Sequence, residues 1–448
     1  MVKIARSRLQ TTLRLTALTL ACAVSVNAQS LTLTERNSIA LGSDPAQLSG
    51  LTWLGGDRWL AVSDHDNQVV ELTIPINGDG SIRQADVSVG ARHQLDGLIR
   101  DYEGISFAGP GSNRILLTEE DTPALRQFML NDFTETPQSS FTTPAIFLSS
   151  TRPNRGFESL SLRLDGTEAW VANEEALLGD GPIATVDDGT LVRLQRYTIH
   201  DDAVTPAEQY VYEVEPIHAG QTGSTAPQSG LSDLIALPGG KLLALERSVV
   251  YNDFFGFEIP RFENRIFAVD PAHATAVGDP DLALTDEQQI FAPIAKRLLW
   301  TGAFINPEGL ALGGATDNGF SVLAVTDNQD VSLLSTTIVA FELAGSLSDL
   351  YVPGDANLDA AINEADLAAM ALSFGSFGQG GNVNWRQGDF NGDGNVDFGD
   401  LALAAPHFGN VFTGGPEALG APTQLPEPHG ITILGIVGLA LLQPRQRW

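Results

Sequence analysis

Polar and apolar positions alternate along most of this chain with a period of two, the signature of half-buried strands. The clearest stretch is Asp101-Tyr-Glu-Gly-Ile-Ser-Phe107. Close copies are Phe157-Glu-Ser-Leu-Ser-Leu162 and Pro307-Glu-Gly-Leu-Ala-Leu312, and looser ones are Leu48-Ser-Gly-Leu-Thr-Trp53 and Leu231-Ser-Asp-Leu-Ile-Ala236. A second apolar strand follows each copy and ends on an acid: Asp64, Glu119, Glu174, Glu246 and Asp327. Turn residues separate the two strands (GGD, GPGSN, LDGT, PGGK). The spacing predicts a hairpin in each module with a polar residue, mostly an acid, at two fixed places. Glu103 to Glu119 and Glu158 to Glu174 are each 16 residues.

Repeats of short strands at this length predict an all-β fold, a β-propeller. Five modules are detectable, beginning near 48, 100, 155, 230 and 305, and a degenerate sixth is expected within 271–300, giving six blades. Residues 31–42 read as a lone strand that closes the ring by pairing with Thr337–Leu343. The propeller is thus expected over 31–345, with long inserts at 176–190 and 250–262. The second insert, rich in aromatics, either overhangs the channel or packs as a loop.

A residue at the same place in every blade lands on one ring around the channel. Packed carboxylates repel and raise one another's pKa unless they are wet or hold cations. The repeated acids are therefore the candidate site: Glu103, Glu158, Asp233 and Glu308 as catalytic groups, with Asp64, Glu119, Glu174, Glu246 and Asp327 as further metal ligands. Arg155 and Arg247 are the candidate anion-binding groups. His65, beside Asp64, is a candidate acid/base group, against the alternative of a surface histidine.

The chain ends differently. Near 350–412 two acidic loops recur 34 residues apart, each followed by an apolar helical pattern. Oxygen-bearing side chains fall at loop positions 1, 3, 5, 9 and 12: Asp355, Asn357, Asp359, Asn363 and Asp366, then Asp389, Asn391, Asp393, Asp397 and Asp400. Calcium takes six to eight hard oxygen ligands, and such a loop supplies them. A Gly/Pro/Ala linker spans 413–425. A Pro-Glu-Pro motif (426–428), an apolar run (431–442) and Arg445-Gln-Arg447 follow within 426–448.

Composition narrows the partners. The 448 residues carry 25 Lys and Arg against 55 Asp and Glu, a net charge of −30. That excludes nucleic acid and anionic membrane as expected ligands. The 45 glycines and 24 prolines suit a turn-rich β protein. Residues 1–28 hold four basic residues and no acid, then an apolar stretch and Val26-Asn-Ala28, the pattern of a secretory signal. The one cysteine, Cys22, lies in that leader, so an exported chain has no disulfide and no thiolate nucleophile. No G-x-S-x-G elbow, H-E-x-x-H or phosphate-cradling Gly-rich loop occurs, and seven scattered histidines do not suggest a zinc triad.

Three resemblances follow from these motifs. The modules, through GLTWL, DYEGISF, RGFESLSL, ENRIFAVD, NPEGLAL and VTDNQD…TTIVAFEL, resemble the "esterase-like activity of phytase" family over roughly 45–343. The resemblance implies calcium-assisted hydrolysis of a small phosphate ester, with Ca2+ held by the repeated acids. The paired loops resemble type I dockerin modules, a small α-helical calcium-binding domain implying a cohesin-like scaffold as partner. Ala360 departs from the glycine usual at loop position 6, and Pro406 falls in the helix after the second loop, where it should break it. The tail resembles the PEP-CTERM sorting signal, a short hydrophobic helix processed by an exosortase-type enzyme. Together they imply export to the cell surface, outer membrane or extracellular matrix of a Gram-negative-type bacterium. The rival expectation is a non-catalytic binding or matrix propeller with structural calcium, bound to an extracellular polymer and docked through the paired loops.

Overall fold

The computed structural model describes residues 31–409 apart from 46, 65, 109–112, 137–140, 164–167, 201–202, 219–224, 238–239, 329–333, 346–353, 357–361, 377–386, 391–394 and 406–407. The signal-peptide, linker and sorting segments, and His65, Asn357, Asp359, Asn391 and Asp393, lie outside the described residues.

Five antiparallel sheets make up residues 31–345. Blade one is β2 (Leu48–Gly55), β3 (Arg58–Ser63), β4 (Gln68–Thr73) and β5 (Ser88–Gln94). Blade two is β6 (Tyr102–Phe107), β7 (Arg114–Glu119) and β8 (Ala124–Met129). Blade three is β9 (Phe157–Leu162), β10 (Glu168–Asn173), β11 (Thr190–His200) and β12 (Ala203–Val214). Blade four is β13 (Gln228–Ala236), β14 (Leu242–Phe254), β15 (Phe257–Val269) and β16 (Lys296–Gly302). Blade five joins β17 (Pro307–Ala315), β18 (Gly319–Thr326) and β19 (Thr336–Ala344) to the first strand of the chain, β1 (Thr32–Gly42). As expected, β1 closes the ring, pairing with β19 from Thr32↔Ala344 to Gly42↔Thr336.

The innermost strands β2, β6, β9, β13 and β17 each touch the next, and β17 returns to β2. The ring is closed by five blades, not six. The segment expected to hold a degenerate sixth instead forms a single 3-10 turn, Pro271–His273, irregular chain, and the outermost strand of blade four. Its residues (PAHATAVGDPDLAL) carry no sustained alternation, and five inner strands already cover one another's faces.

Apolar side chains fill the spaces between blades. Leu48, Leu51, Trp59, Val70, Leu323, Val325 and Ile338 join blades five and one. Trp170, Leu194, Tyr212, Leu234, Ala244 and Phe267 join three and four. Hydroxyls tie the inner strands together as well. Thr52 Oγ1 accepts from Phe107 N at 2.9 Å, Ser106 Oγ from Leu162 N at 3.0 Å, and Ser161 Oγ from Ala236 N at 2.8 Å. Each bond crosses from one blade to the next and satisfies an inner-strand N–H that faces no sheet partner.

Two inserts rise from blades three and four. The chain 174–190 crosses between β10 and β11. Strands β14 and β15 continue past the sheet as a two-stranded ribbon, paired as far as Phe254↔Phe257. Phe255 and Gly256 form the turn with φ of 54° and 85°, the left-handed pair that tight hairpins need. The aromatic insert is thus a projecting ribbon rather than a packed loop.

One short helix, α1 (Ala145–Ser150), precedes β9. Beyond the propeller, two helices follow the acidic loops: α2 (Glu364–Ser373) and α3 (Phe398–Ala404). Both start on a reciprocal capping box, Asn363 with Asp366 and Asp397 with Asp400. Asp366 also accepts from Ala356 N at 2.9 Å and Asp400 from Phe390 N at 2.8 Å, the same contact in each half. Helix α3 ends two residues before Pro406, while α2, with no proline there, runs three residues longer. Among the described residues no helix is long and apolar enough to cross a membrane.

Candidate metal centre

The channel site is built by one backbone device used five times. Where each inner strand meets its neighbour, the pairing register slips by a residue. The slips lie at Leu48/Gly50, Tyr102/Ile105, Leu231/Asp233 and Pro307/Gly309, and opposite Ala172/Asn173 in blade three. A β-bulge leaves one residue without a partner and re-aims its side chain. The residues at the slip are Ser49, Glu103, Glu158, Ser232 and Glu308. Three are the glutamates expected from the repeat.

The register also fixes which residue of the second strand stands beside them. Ser63, Glu119, Asn173, Glu246 and Thr326 pair with the residue just before the bulge. The next position outward holds Asp64, Glu120, Glu174, Arg247 and Asp327. Backbone bonds repeat there too: Asp64 N, Glu120 N and Asp327 N donate to the carbonyls of Gln47, Asp101 and Asn306. Gln47 and Asn306 hold φ of 55° and 46°, left-handed backbone in non-glycine residues at the edge of the site.

Three expected site residues fall elsewhere. Glu119 is one position short of the ring, held by Arg100 at 3.2 Å and by Arg126. Glu246 is likewise one short. It accepts from Tyr212 Oη at 2.6 Å, Lys296 Nζ at 2.6 Å and Glu215 N at 3.0 Å, between blades three and four. Asp233 stands one past the bulge, where blades one, two and five carry Gly50, Gly104 and Gly309. Its carboxylate accepts from Leu310 N at 2.6 Å and Leu234 N at 2.8 Å, tying blade four to blade five. Asp233 is thus a blade-to-blade tie.

Of the remaining expected acids, Glu103, Glu158 and Glu174 converge with their neighbours in two groups, while Asp64, Glu308 and Asp327 belong to neither group. One ligand atom from each of Asp101, Glu103 and Glu120 lies within 4.8 Å of the others, and the same holds for Glu120, Glu158 and Glu174. Glu120 belongs to both groups. Asp101, Glu120 and Glu175 were not singled out in the sequence. Doubled acids at 119–120 and 174–175 were the available signal, and only the register decides between their members.

Two guanidiniums answer these acids. Arg155 Nε lies 3.1 Å from Glu174 and 3.5 Å from Glu175. Arg247 donates to Glu174 at 2.7 Å, to Asn306 Oδ1 at 2.7 Å, and to Glu308. Both expected anion-binding arginines contact carboxylates.

Burial dominates the electrostatics. It raises Glu103 and Glu158 well above the ordinary carboxylate range, and each is raised further by the other acids of the ring. Burial, then Glu174 and Asp101, pushes Glu120 up to about 8. Burial, then Glu174, pushes Glu175 up to about 7. Burial pushes Glu308 up to about 8 against the opposing pull of Arg247. Glu308 Oε2 and Ser232 Oγ, at two of the five bulge positions, are buried and make no hydrogen bond among the described residues. A hard cation fits this donor set, all oxygen and short of positive charge.

Residues 46–330 match the family model "Phytase-like: Esterase-like activity of phytase". The chain belongs to that family. Membership and the propeller fold point to a hydrolase, and the acidic groups could bind a metal. No significant match was found among curated proteins. Solved structures similar to the chain include the major allergen of Malassezia sympodialis, 10% identical over 68% of this chain and 96% of that one, with a TM-score of 0.36. A mannose phosphorylase from Leishmania mexicana in complex with phosphate is 9% identical over 68% and 88%, with a TM-score of 0.33. PQQ-bound aldose sugar dehydrogenase from Streptomyces coelicolor is 10% identical over 70% and 99%, with a TM-score of 0.32.

Proposed function

We propose that the chain is an exported, calcium-dependent hydrolase of phosphate esters, acting at the acid-lined mouth of the propeller channel. One observation carries the reading. Two of the bulges and the neighbouring strand ends bring Asp101, Glu103, Glu120, Glu158 and Glu174 into two overlapping clusters, with Arg155 and Arg247 bonded to Glu174. Carboxylates packed this closely, half-buried or buried, are stabilised by protonation, by guanidinium partners or by bound cations.

Glu120 and Glu174 with Glu158, and Glu120 with Asp101 and Glu103, would hold calcium, which when bound neutralises the ester's phosphate and lowers the pKa of a coordinated water. The chain's own residues do the rest. Arg155 and Arg247 converge on Glu174, so an anionic oxygen seated beside that carboxylate meets two guanidiniums. Glu308, with a buried free oxygen and a pKa of about 8, takes up or releases a proton near neutral pH.

The other assignments rest on sequence. Residues 1–28 support export and 426–448 support surface sorting. The paired loops support a second calcium-binding module that docks the propeller on a cohesin-like scaffold, and the matched contacts of Asp366 and Asp400 suit that reading. A binding propeller without catalysis is favoured by one observation: both arginines are already bonded to carboxylates.

Phosphate release by the full chain from a panel of monoesters and diesters, with calcium and with chelator, tests the proposal. Turnover that needs calcium and is lost in Glu120→Gln and Glu158→Gln supports it. Calcium binding with an intact fold and no turnover on any ester leaves the binding propeller.

A further inference from the structure

Glu174 is claimed from two sides. One of its oxygens belongs to the group formed with Glu120 and Glu158, whose ligand atoms lie within 4.8 Å of one another. The same carboxylate holds both guanidiniums of the site. Oε1 accepts from Arg247 Nη2 at 2.7 Å, and Oε2 lies 3.1 Å from Arg155 Nε. The Glu174 side chain is 2% exposed, so water does not stand in for a lost partner. A divalent cation on that carboxylate repels both guanidiniums at close range. Ion and arginines therefore compete for Glu174.

Each arginine has a second hold that leaves Glu174 out. Arg247 Nη1 donates to Asn306 Oδ1 at 2.7 Å and to Glu308. Arg155 Nη1 donates to the carbonyl of Asn154, and Glu175 lies 3.5 Å from its Nε. Loss of Glu174 thus frees Nη2 of Arg247 and the Glu174-facing edge of Arg155 while both side chains stay anchored. Fixed guanidiniums with open N–H groups suit a phosphoryl oxygen.

Glu308, on the other arm of Arg247, is an independent sign that a cation belongs here. Its side chain is 10% exposed and one oxygen accepts from Arg247. The other, Oε2, is buried and makes no hydrogen bond among the described residues. A buried carboxylate oxygen with no donor suits a cation.

We infer that Glu174 exchanges partners: without calcium it holds Arg155 and Arg247, and with calcium it turns to the ion and yields both guanidiniums to the phosphate of the ester. Calcium and the anion then bind cooperatively, and Glu174 is a positioning residue. This rests on the ester-hydrolase reading and deepens it.

Calorimetric binding of methylphosphonate to the full chain, with calcium and with chelator, separates the exchange from an ion that acts alone. In the parent, calcium should tighten methylphosphonate by about tenfold or more, the scale of one hydrogen bond to a charged group. Methylphosphonate should tighten calcium by the same factor. In chelator, Glu174→Gln should bind methylphosphonate about tenfold more tightly than the parent, because its arginines are already released. A second readout needs no variant. With isotope-labelled arginine, the Nε–H resonance of Arg155 should shift and exchange faster with water when calcium alone is added. If Glu174→Gln does not fold, that resonance decides. Tightening by calcium with no gain in Glu174→Gln, or an Arg155 resonance that calcium leaves unmoved, overturns the exchange and spares the hydrolase. No methylphosphonate binding in any state, with no ester turnover, overturns both readings.

Discussion

The guanidinium of Arg247 donates to Oε1 of Glu174 across 2.7 Å, from blade four to blade three. Its other arm holds Glu308 of blade five. Arg247 occupies the ring position that carries an acid in the other four blades, so one blade supplies a fixed cation to its neighbours. Removing one partner of a buried ion pair leaves the other charged and desolvated, at a cost of about 3–5 kcal/mol. Arg247→Met should lower stability by that order in chelator, read from urea unfolding. Calcium should restore part of the loss in the variant, since a bound cation answers the same carboxylates. Equal loss with and without calcium would mean that Arg247 and the ion act on different groups.

The raised carboxylates give the ion-free chain a definite pH response. Glu120 and Glu308 sit at about 8 in the folded chain, against an ordinary 4.5. Between those values the folded chain binds more protons than the unfolded chain, so stability falls as pH rises. Below the ordinary value both states are protonated, and these groups contribute no slope. Above about 8 both states are ionised, and the cost is fully present. The urea midpoint in chelator should therefore drop from pH 5 to pH 8. Glu120→Gln should flatten the drop. Cation binding in this window should release protons, seen as a heat that depends on the buffer's ionisation enthalpy.

Glu120 and Glu119 are neighbours with different expected roles. Glu120 belongs to both carboxylate clusters, whereas Glu119 lies between Arg100 and Arg126. Glu120→Gln should weaken calcium binding to the propeller by tenfold or more. Glu119→Gln should leave it within about twofold while lowering the unfolding midpoint. Calorimetry on the two variants, at matched occupancy of the paired C-terminal loops, checks this. Similar affinity losses in both would place the ion nearer Glu119 than the clusters imply.

The sequence made the architecture legible because each module repeats the same alternation, and the closing strand announced itself as an unpaired alternating run. The acid ring was legible in outline, through Glu103, Glu158 and Glu308. The parity of the second ring was not. A bulge changes the count by one residue, and side chains alternate faces with period two, so a slip of one decides whether Glu119 or Glu120 faces the channel. The same slip put Arg247, not Glu246, in the ring. Asp233 misled for a related reason: in a motif where most blades carry an acid, the acid in LSDLIA sits one place late and the bulge position is Ser232. The expected degenerate sixth blade failed because 271–300 lacks the alternation that builds one.

Asp233 offers the sharpest separation of structure from chemistry. Burial raises its pKa well above the ordinary range, a property that by itself would flag a catalytic acid. Its oxygens, however, accept from the backbone donors Leu310 N and Leu234 N. These contacts point to a structural role for Asp233, to be separated from proton transfer by experiment. Asp233→Asn keeps a carbonyl oxygen for one of these donors, and should retain calcium affinity and turnover with a loss of about 1 kcal/mol. Asp233→Ala strands both donors in the interface between blades four and five and should cost about 2–3 kcal/mol or more. Turnover per folded molecule should stay near that of the parent in both, measured on protein whose folded fraction is known from unfolding curves. A large fall in turnover for Asp233→Asn, with its midpoint unchanged, would return Asp233 to the catalytic set.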